Sequence, residues 1–388
     1  MTNKTTDANI VDQKVAELAR LTPQLSRAIA NTGNELNANA IIGDREWAMT
    51  TFAMLIGMGD MSDQLQVYVQ AAQAAGATDD EIQDVINLAS IYAGNPRAVS
   101  AARTVAPYLK SEQLRLRPNV TESLVNVGDH ETIVWDNHAD GFPVVLIHCL
   151  ALDHRTWREV YPEIAKTGAR VIAYDIRGHG WARQAPTTQN LDQLADDLHH
   201  LLAKLGIKQA DVYGASYGGA VAQSFAVDYP QEVRSLALIA TGLKGFPVLA
   251  ARADAAEKDG MEAQVAVSLI RWFTPETIAR NPWEVRYGRE CVRHMSVANW
   301  AAAWRAMAAG DATETAPKTT VPVLALGGAQ DASAVPQIMA QMAAAYPNSK
   351  RVTIDPGTHM MPMEQPQATA KELVEFYQSV DNQTFRKD

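Results

Sequence analysis

At 388 residues the chain is longer than most single hydrophobic cores support, which predicts two domains. Hydrophobic residues make up 47% and charged residues 20%, while a net charge of -10 repels phosphate backbones and anionic lipid and so argues against nucleic-acid and membrane-surface partners. Cys149 and Cys291 are too few for a disulfide framework, no apolar run approaches the roughly 20 residues of a bilayer span, and the start "MTNKTTDANIVDQ" lacks an apolar signal core, so a soluble cytoplasmic protein is expected.

The first stretch reads as helical. "VDQKVAELARLTPQL" and "SDQLQVYVQAAQAAG" space their apolar residues at three and four. "GATDDEIQDVINLASIYAGNPRAVSAARTVAPYL" reads as a helix pair. Thr78 and Glu81 fit a capping box, Gly94 ends the first helix, and Asn95 and Pro96 suit the cap and first turn of the second. An all-α domain over residues 1–112 is expected. After "LRLRPNV" the texture changes. "SLVNVG" and "TIVWDN" read as a hairpin. The runs "PVVLIHC", "RVIAYD", "ADVYGA", "SLALIA", "PVLALGG" and "KRVTID" read as buried strands. Helical stretches such as "LDQLADDLHHLLAKLG" and "VPQIMAQMAAAYP" lie between several of them. This alternation predicts an α/β domain over residues 113–388, with a mostly parallel sheet covered on both faces. A helical insertion, about residues 244–318, interrupts the alternation and predicts a cap.

One serine stands out. In "DVYGASYGGAVAQ", Gly214, Ala215, Gly218 and Gly219 surround Ser216 and Tyr217. Gly-x-Ser-x-Gly between a strand and a helix is the pattern of a nucleophile elbow, in which a tight turn exposes the hydroxyl. Small neighbours clear the space such a turn needs. The plainer alternative is a glycine-rich turn with an incidental serine. A serine hydroxyl is a weak nucleophile and needs a base. "LALGGAQDASAVP" offers Asp331 after a strand, and "IDPGTHMMPMEQP" offers His359 after the next. The chain order Ser, Asp, His and the strand-end positions suit a triad in which His359 moves the Ser216 proton and Asp331 fixes the imidazole. The alternatives are a loop histidine and a helix N-cap. Asp153 and Asp175 compete as acids but precede the serine. For an oxyanion hole, the N–H of Tyr217 and that of Leu150 in "PVVLIHCLALDHRTW" are the candidates. Cys149 follows His148 where glycine is usual, which puts the backbone angles at 149 in question; as a side chain it reads as a small buried residue rather than a second nucleophile. No residue pattern calls for a metal or a cofactor.

"YDIRGHG", "YGASYGGAVA", "GGAQDAS" and "GTHMMPMEQP" together resemble the α/β-hydrolase fold superfamily over about residues 120–380. "GMEAQVAVSLIRWFTPETI" resembles the cap of the 3-oxoadipate enol-lactonases, where an Arg-Trp pair meets the substrate carboxylate. That resemblance implies substrate contacts at Arg271 and Trp272; the bland alternative is a surface arginine beside a core tryptophan. "REWAMTTFAMLIGMG", "AAQAAGATDDEIQDVI" and "IYAGNPRAVSAARTV" resemble the carboxymuconolactone decarboxylase family over about residues 15–110. This implies a helical bundle that assembles into homo-oligomers. Redox-active relatives carry a Cys-x-x-Cys pair, and this half has no cysteine. Tyr68 stands where decarboxylases carry a histidine, and Asp84 where a glutamate is usual; with Glu46 these could line a second pocket or be structural remnants. The two families act at consecutive steps of protocatechuate breakdown. The expected function is a serine hydrolase for a small lactone or carboxylic ester, with the helical half acting mainly in assembly. A bifunctional decarboxylase and lactonase, or a broad carboxylesterase, are the alternatives.

Overall fold

A computed structural model describes residues 43–109 and 120–380. The chain divides into two compact units, Met1–Leu116 and Arg117–Asp388. The helix expected in "VDQKVAELARLTPQL", and the residues around the expected boundary at 112 and 113, lie outside the described residues.

The described part of the first unit is four helices: α1 (Asp44–Met58), α2 (Ser62–Ala74), α3 (Asp79–Tyr92) and α4 (Asn95–Val105). Their apolar stripes meet in one core that includes Phe52, Ile56, Leu65, Val69, Ile82, Ile86 and Val105. The capping box at the head of α3 is formed. The Thr78 hydroxyl accepts from the Glu81 N–H at 3.2 Å, and the Glu81 carboxylate accepts from the Thr78 N–H at 3.0 Å. The joint between α3 and α4 differs from expectation by one residue. Gly94, at φ 88°, is the residue flanking α4, and Asn95 is already its first helical residue. The positive φ explains the shift: the chain reverses at the residue that tolerates that angle best.

The second unit is built on one eight-stranded sheet. Its strands are β1 (Thr121–Asn126), β2 (Glu131–Asp136), β3 (Pro143–Ile147), β4 (Arg170–Tyr174), β5 (Ala210–Ala215), β6 (Val233–Ile239), β7 (Val323–Gly328) and β8 (Ser349–Ile354). They lie in the order β1-β2-β4-β3-β5-β6-β7-β8. β1 and β2 form the expected antiparallel hairpin, and β2 meets β4 antiparallel. Every other pair is parallel. β5 and β7 are buried along their whole length, which is why they read as largely apolar runs, Asp211 of β5 being buried against Arg234. α5 (Tyr161–Ala165), α6 (Leu191–Lys204), α7 (Tyr217–Asp228), α12 (Pro336–Ala345), α13 (Met361–Glu364) and α14 (Pro366–Ser379) lie among the strands in sequence.

Between β6 and β7 the chain inserts four helices: α8 (Pro247–Trp272), α9 (Pro275–Arg280), α10 (Trp283–His294) and α11 (Val297–Ala309). This is the insertion expected at about residues 244–318. α8 is two helical segments joined at Gly260, whose φ of 76° breaks the helix. No side chain crowds that glycine, so the backbone angle, not space, is what calls for it.

The register aligns the strand ends that matter. Ile147 pairs with Gly214, Ala215 with Ile239, Ile239 with Leu326, and Gly328 with Ile354. The residues after β3, β5, β7 and β8 therefore emerge along one edge of the sheet, the carboxyl ends where open α/β sheets place their sites.

Candidate active site

The turn from β5 into α7 explains the glycines. Ser216 sits at φ 53° and ψ -110°, a strained conformation for a residue with a side chain. A Cβ on Gly214 would come within 2.1 Å of the Gly218 carbonyl oxygen. On Gly218 it would meet the Ile147 and His148 carbonyl oxygens at 2.3 and 2.7 Å, and on Gly219 the Thr241 side chain at 2.6 Å. The contacts at Gly214 and Gly218 are to backbone that cannot yield, so side chains are absent there because β3 and α7 close on the turn, while Gly219 makes room for the Thr241 side chain after β6.

Two loops bring the partners. A Cβ on Gly328 would meet the Gly357 carbonyl oxygen at 2.3 Å, so the ends of β7 and β8 touch backbone to backbone. The Ala329 N–H donates to the Ile354 carbonyl at 2.9 Å, and the Gln330 N–H to the Gly357 carbonyl at 2.8 Å. Asp331 and His359 follow directly. The His359 imidazole lies 2.9 and 3.1 Å from the two Asp331 oxygens through Nδ1, and 3.0 Å from the Ser216 hydroxyl through Nε2. All three residues are buried. An ionised carboxylate can only accept, so Nδ1 carries the proton and Nε2 presents a lone pair to the serine hydroxyl. Burial alone would push the Asp331 carboxyl up. The neighbouring His359, with the N–H groups of Ser333 and Ala334 at 2.7 and 2.8 Å, holds it below the usual carboxylate range. The competing acids are engaged elsewhere. Asp153 takes both arms of Arg155, at 2.9 and 2.7 Å, and the Tyr287 hydroxyl at 2.8 Å, while Asp175 holds His154 at 2.7 Å.

The loop after β3 is pinned by a buried histidine. His148 donates from Nδ1 to the Cys149 carbonyl at 2.8 Å and accepts at Nε2 from the Ile176 N–H at 2.9 Å. Burial favours its neutral form, as this pattern requires. The Leu152 N–H closes the turn onto the Cys149 carbonyl at 3.2 Å. The left-handed residue of this turn is Ala151, at φ 68°, and not Cys149. The missing glycine at 149 therefore imposes no backbone strain there. The Cys149 thiol is fully buried and pushed well above its ordinary range, first by desolvation and then by Asp331. Among the described residues, the N–H groups of Leu150 and Tyr217 have no partner. Tyr217 also begins α7, where the helix dipole favours negative charge.

A cavity of about 310 Å³ opens above the serine. Ser216, His359 and Leu150 lie on its floor side, and Leu249, Arg252, Trp272 and Trp304 of the cap lie around it. Trp272, one of the two substrate contacts that the resemblance implies, lines the cavity. Arg271 is not among the residues lining the cavity; it is half-buried and donates to the Ser268 hydroxyl at 3.2 Å. Arg252 is the cap arginine that lines the cavity, and sequence reasoning missed it. It stands alone in "LAARADAAEK" with no aromatic neighbour to mark it, because its stacking partner Trp304 comes from another helix, 4.6 Å from guanidinium to ring.

In the first unit, Tyr68 is half-buried on α2, Glu46 is exposed and pairs with Arg45 at 3.1 Å, and Asp84 is exposed on α3. A cavity between the turn after α1 and the start of α4 is lined by residues such as Leu55, Met58, Leu65 and Arg97, and none of the three lies on it.

Comparison with known proteins places the chain. Residues 143–366 match the alpha/beta hydrolase fold, and the chain belongs to that family. Residues 23–106 match the Carboxymuconolactone decarboxylase family. Among curated proteins, the chain is similar to 3-oxoadipate enol-lactonase 2 of Acinetobacter baylyi, 32% identical over 42% of this chain and 61% of that protein. It is also similar to 2-hydroxymuconate semialdehyde hydrolase of a Pseudomonas species, 38% identical over 34% of this chain and 47% of that one. The matched segment thus spans about half to three-fifths of the length of these two relatives. Among solved structures, the enol-lactonase of Burkholderia xenovorans aligns over 66% of this chain and all of its own, with 27% identity and a TM-score of 0.62. A thermophilic esterase of Thermogutta terrifontis, described with malate bound, aligns over 67% of this chain and 99% of its own, with 28% identity and a TM-score of 0.62.

Proposed function

We propose that the protein is a serine hydrolase that opens a lactone or cleaves a carboxylic ester, acting as a 3-oxoadipate enol-lactonase does. The observation that carries this reading is the hydrogen-bonded chain Asp331–His359–Ser216 beneath the capped cavity. His359 Nε2 takes the hydroxyl proton as Ser216 Oγ attacks the carbonyl carbon. The carbonyl oxygen becomes an alkoxide that the N–H groups of Tyr217 and Leu150 stabilise. Asp331 holds the imidazole in the accepting tautomer and balances the imidazolium. As the intermediate collapses, the ester or lactone C–O bond breaks, and the leaving oxygen takes the proton from His359. In a lactone both fragments stay on one molecule, so a single acyl-enzyme carries the opened chain. Water, deprotonated by His359, then attacks the acyl carbon and releases Ser216. The likeness to two enol-lactonases supports a lactone substrate, and the malate described in the esterase supports a carboxylate in the cavity.

The first unit acts mainly in assembly, as a homo-oligomer contact. The match to the decarboxylase family favours one further reading, a bifunctional decarboxylase and lactonase with Tyr68, Glu46 and Asp84 in the second site. The third, a broad carboxylesterase, needs only the second unit. A substrate panel separates the three: a chromogenic short-chain ester, an enol-lactone and a 4-carboxymuconolactone. Lactone opening that disappears in Ser216→Ala is the expected result. Ester activity without lactone opening leaves the carboxylesterase. Release of CO2 that is lost in Tyr68→Phe establishes the bifunctional enzyme. No hydrolysis of any of the three overturns the proposal.

A further inference from the structure

Among the described residues, Arg252 and Arg271 of the cap are half-buried without a paired carboxylate. Arg252 lies on the first segment of α8 and Arg271 near the end of the second. In a straight helix, 19 residues at about 1.5 Å each would separate them by roughly 28 Å. The break at Gly260 folds the segments so that the two charges feel each other: burial first, and then the Arg252 charge, bring Arg271 down to about 10. Burial likewise lowers Arg252. Among the described residues, no carboxylate pairs with either guanidinium, and the Arg271 Nε is buried with no partner at all. Asp192 and Asp311 also lie on the cavity, but Asp192 holds the Ser224 hydroxyl at 2.8 Å and Asp311 accepts from the Thr313 N–H at 2.8 Å.

Two half-buried cations that repel each other are an unfavourable arrangement for an empty site, because desolvated charge is costly unless paired. An anion between the cap and the serine offsets that. The Arg252 fork lines the cavity and is already held in place. Its guanidinium stacks on Trp304, and its backbone carbonyl accepts from the buried Trp300 indole N–H at 3.2 Å. A stacked guanidinium loses less freedom on binding a planar carboxylate than a free lysine would.

We propose that Arg252 is the substrate-anion contact of this cavity, with Arg271 as the charge behind it, and that the substrate carries a free carboxylate in addition to the bond that Ser216 attacks. The proposal rests on the hydrolase reading for the identity of the attacked bond, and on the cap alone for the charge. It moves the carboxylate contact from the position implied by sequence resemblance to one that no sequence motif marks.

A matched ester pair tests it in the full-length protein: the 4-nitrophenyl monoester of glutarate, which is anionic, and its methyl-capped neutral analogue. The readout is the ratio of kcat/KM for the anionic over the neutral ester. Wild type should favour the anionic ester, and Arg252→Met should lower the ratio about 10- to 100-fold, the scale of one lost charge-assisted hydrogen bond. Arg252→Lys, which keeps charge without the fork, should recover part of it and covers the case in which Arg252→Met fails to fold. An unchanged ratio in Arg252→Met, or a wild type that favours the neutral ester, overturns the proposal while leaving the hydrolase reading intact. Loss of preference in Arg271→Met but not in Arg252→Met also overturns it and returns the contact to Arg271. If neither ester is hydrolysed, lactone opening still decides the hydrolase reading, and titration calorimetry with glutarate decides the anion site. Binding to wild type that weakens at least tenfold in Arg252→Met supports it, and no binding to wild type overturns it.

Discussion

The two units of this chain bury different things. Among the described residues, every buried polar or charged side chain lies in the second unit, beginning at His130. There many are tied into networks, as with His148 across the loop after β3, or Arg177, which grips Asp197 at 2.8 and 2.6 Å and Asp129 at 2.8 Å through both arms. The described part of the first unit buries only apolar groups and leaves Met54, Met58, Leu88, Ile91 and Tyr92 more than half exposed. Buried polar networks hold side chains in one geometry, which chemistry needs; apolar surface left outside a small core suits association instead. Under the proposed function, the contrast is between a unit suited to a reaction and one suited to contact, and substitutions in each should fail in different ways.

The largest effect belongs to the serine. Ser216→Ala or His359→Ala should lower kcat about 10^3-fold or more with the thermal midpoint little changed, and the double variant should lose little beyond either single one. Near-wild-type turnover in Ser216→Ala on every substrate hydrolysed would remove the second unit's claim to be the reacting one. Next is the Arg177 network. Arg177→Met leaves the buried Asp197 carboxylate unpaired and should cost about 3–5 kcal/mol in denaturant unfolding at neutral pH. Arg177 also holds Asp129 well below the usual carboxylate range, chiefly through its hydrogen bonds. A depressed folded pKa stabilises above the unfolded value of about 3.9, and that stabilisation fades as the pH falls toward the folded one. The gap between wild type and variant should therefore narrow below about pH 4; a gap that widens there would refute the assignment.

Much of the second unit was legible because its constraints are local. The glycines around Ser216 record backbone contacts at 2.1 to 2.3 Å that any family member with this turn must avoid, so they show in sequence as a motif. The chain order of Ser216, Asp331 and His359 follows from which strands neighbour one another. What stayed hidden depends on the cap's tertiary path. Arg252 gains its place from a break at Gly260 and from Trp304, 52 residues away in the chain, and neither leaves a periodic mark near it. Arg271 illustrates the converse, since of the recurring Arg-Trp pair the tryptophan lines the cavity and the arginine does not. The concern over Cys149 arose because sequence alone does not say which residue of a turn carries the positive φ; here it is Ala151.

The first unit's exposed residues give the third prediction. Leu88 and Ile91 lie three apart on α3, with Tyr92 beside them, and form one apolar face. If the unit serves assembly, the full chain should scatter light as a multiple of its own mass, and Leu88→Glu with Ile91→Glu should shift it toward monomer. A monomeric wild type would break the comparison, because the exposed face would then have no partner of its own kind.

The smallest expected effect tests whether the two units are independent. Thr78→Ala removes the hydroxyl that caps α3 and should destabilise the first unit by about 1 kcal/mol, the usual loss for such a cap. Glu81 makes the change informative. Burial pushes its carboxyl up, but the Thr78 N–H and the Arg45 guanidinium outweigh burial and hold it low, and the Arg45 pair also ties α3 to α1. Its stabilising contribution is present above the unfolded carboxylate range and disappears as the pH falls through the folded value, so Glu81→Gln should matter at neutral pH and cease to matter in acid. Amide hydrogen exchange reads both variants directly. Protection in α1 and α3 should fall several-fold, while protection in β5 and β7, and kcat on a chromogenic ester, should stay at their wild-type values. A fall in kcat with Thr78→Ala would mean that the helical unit reaches the serine after all, and that the division between contact and chemistry is too sharp.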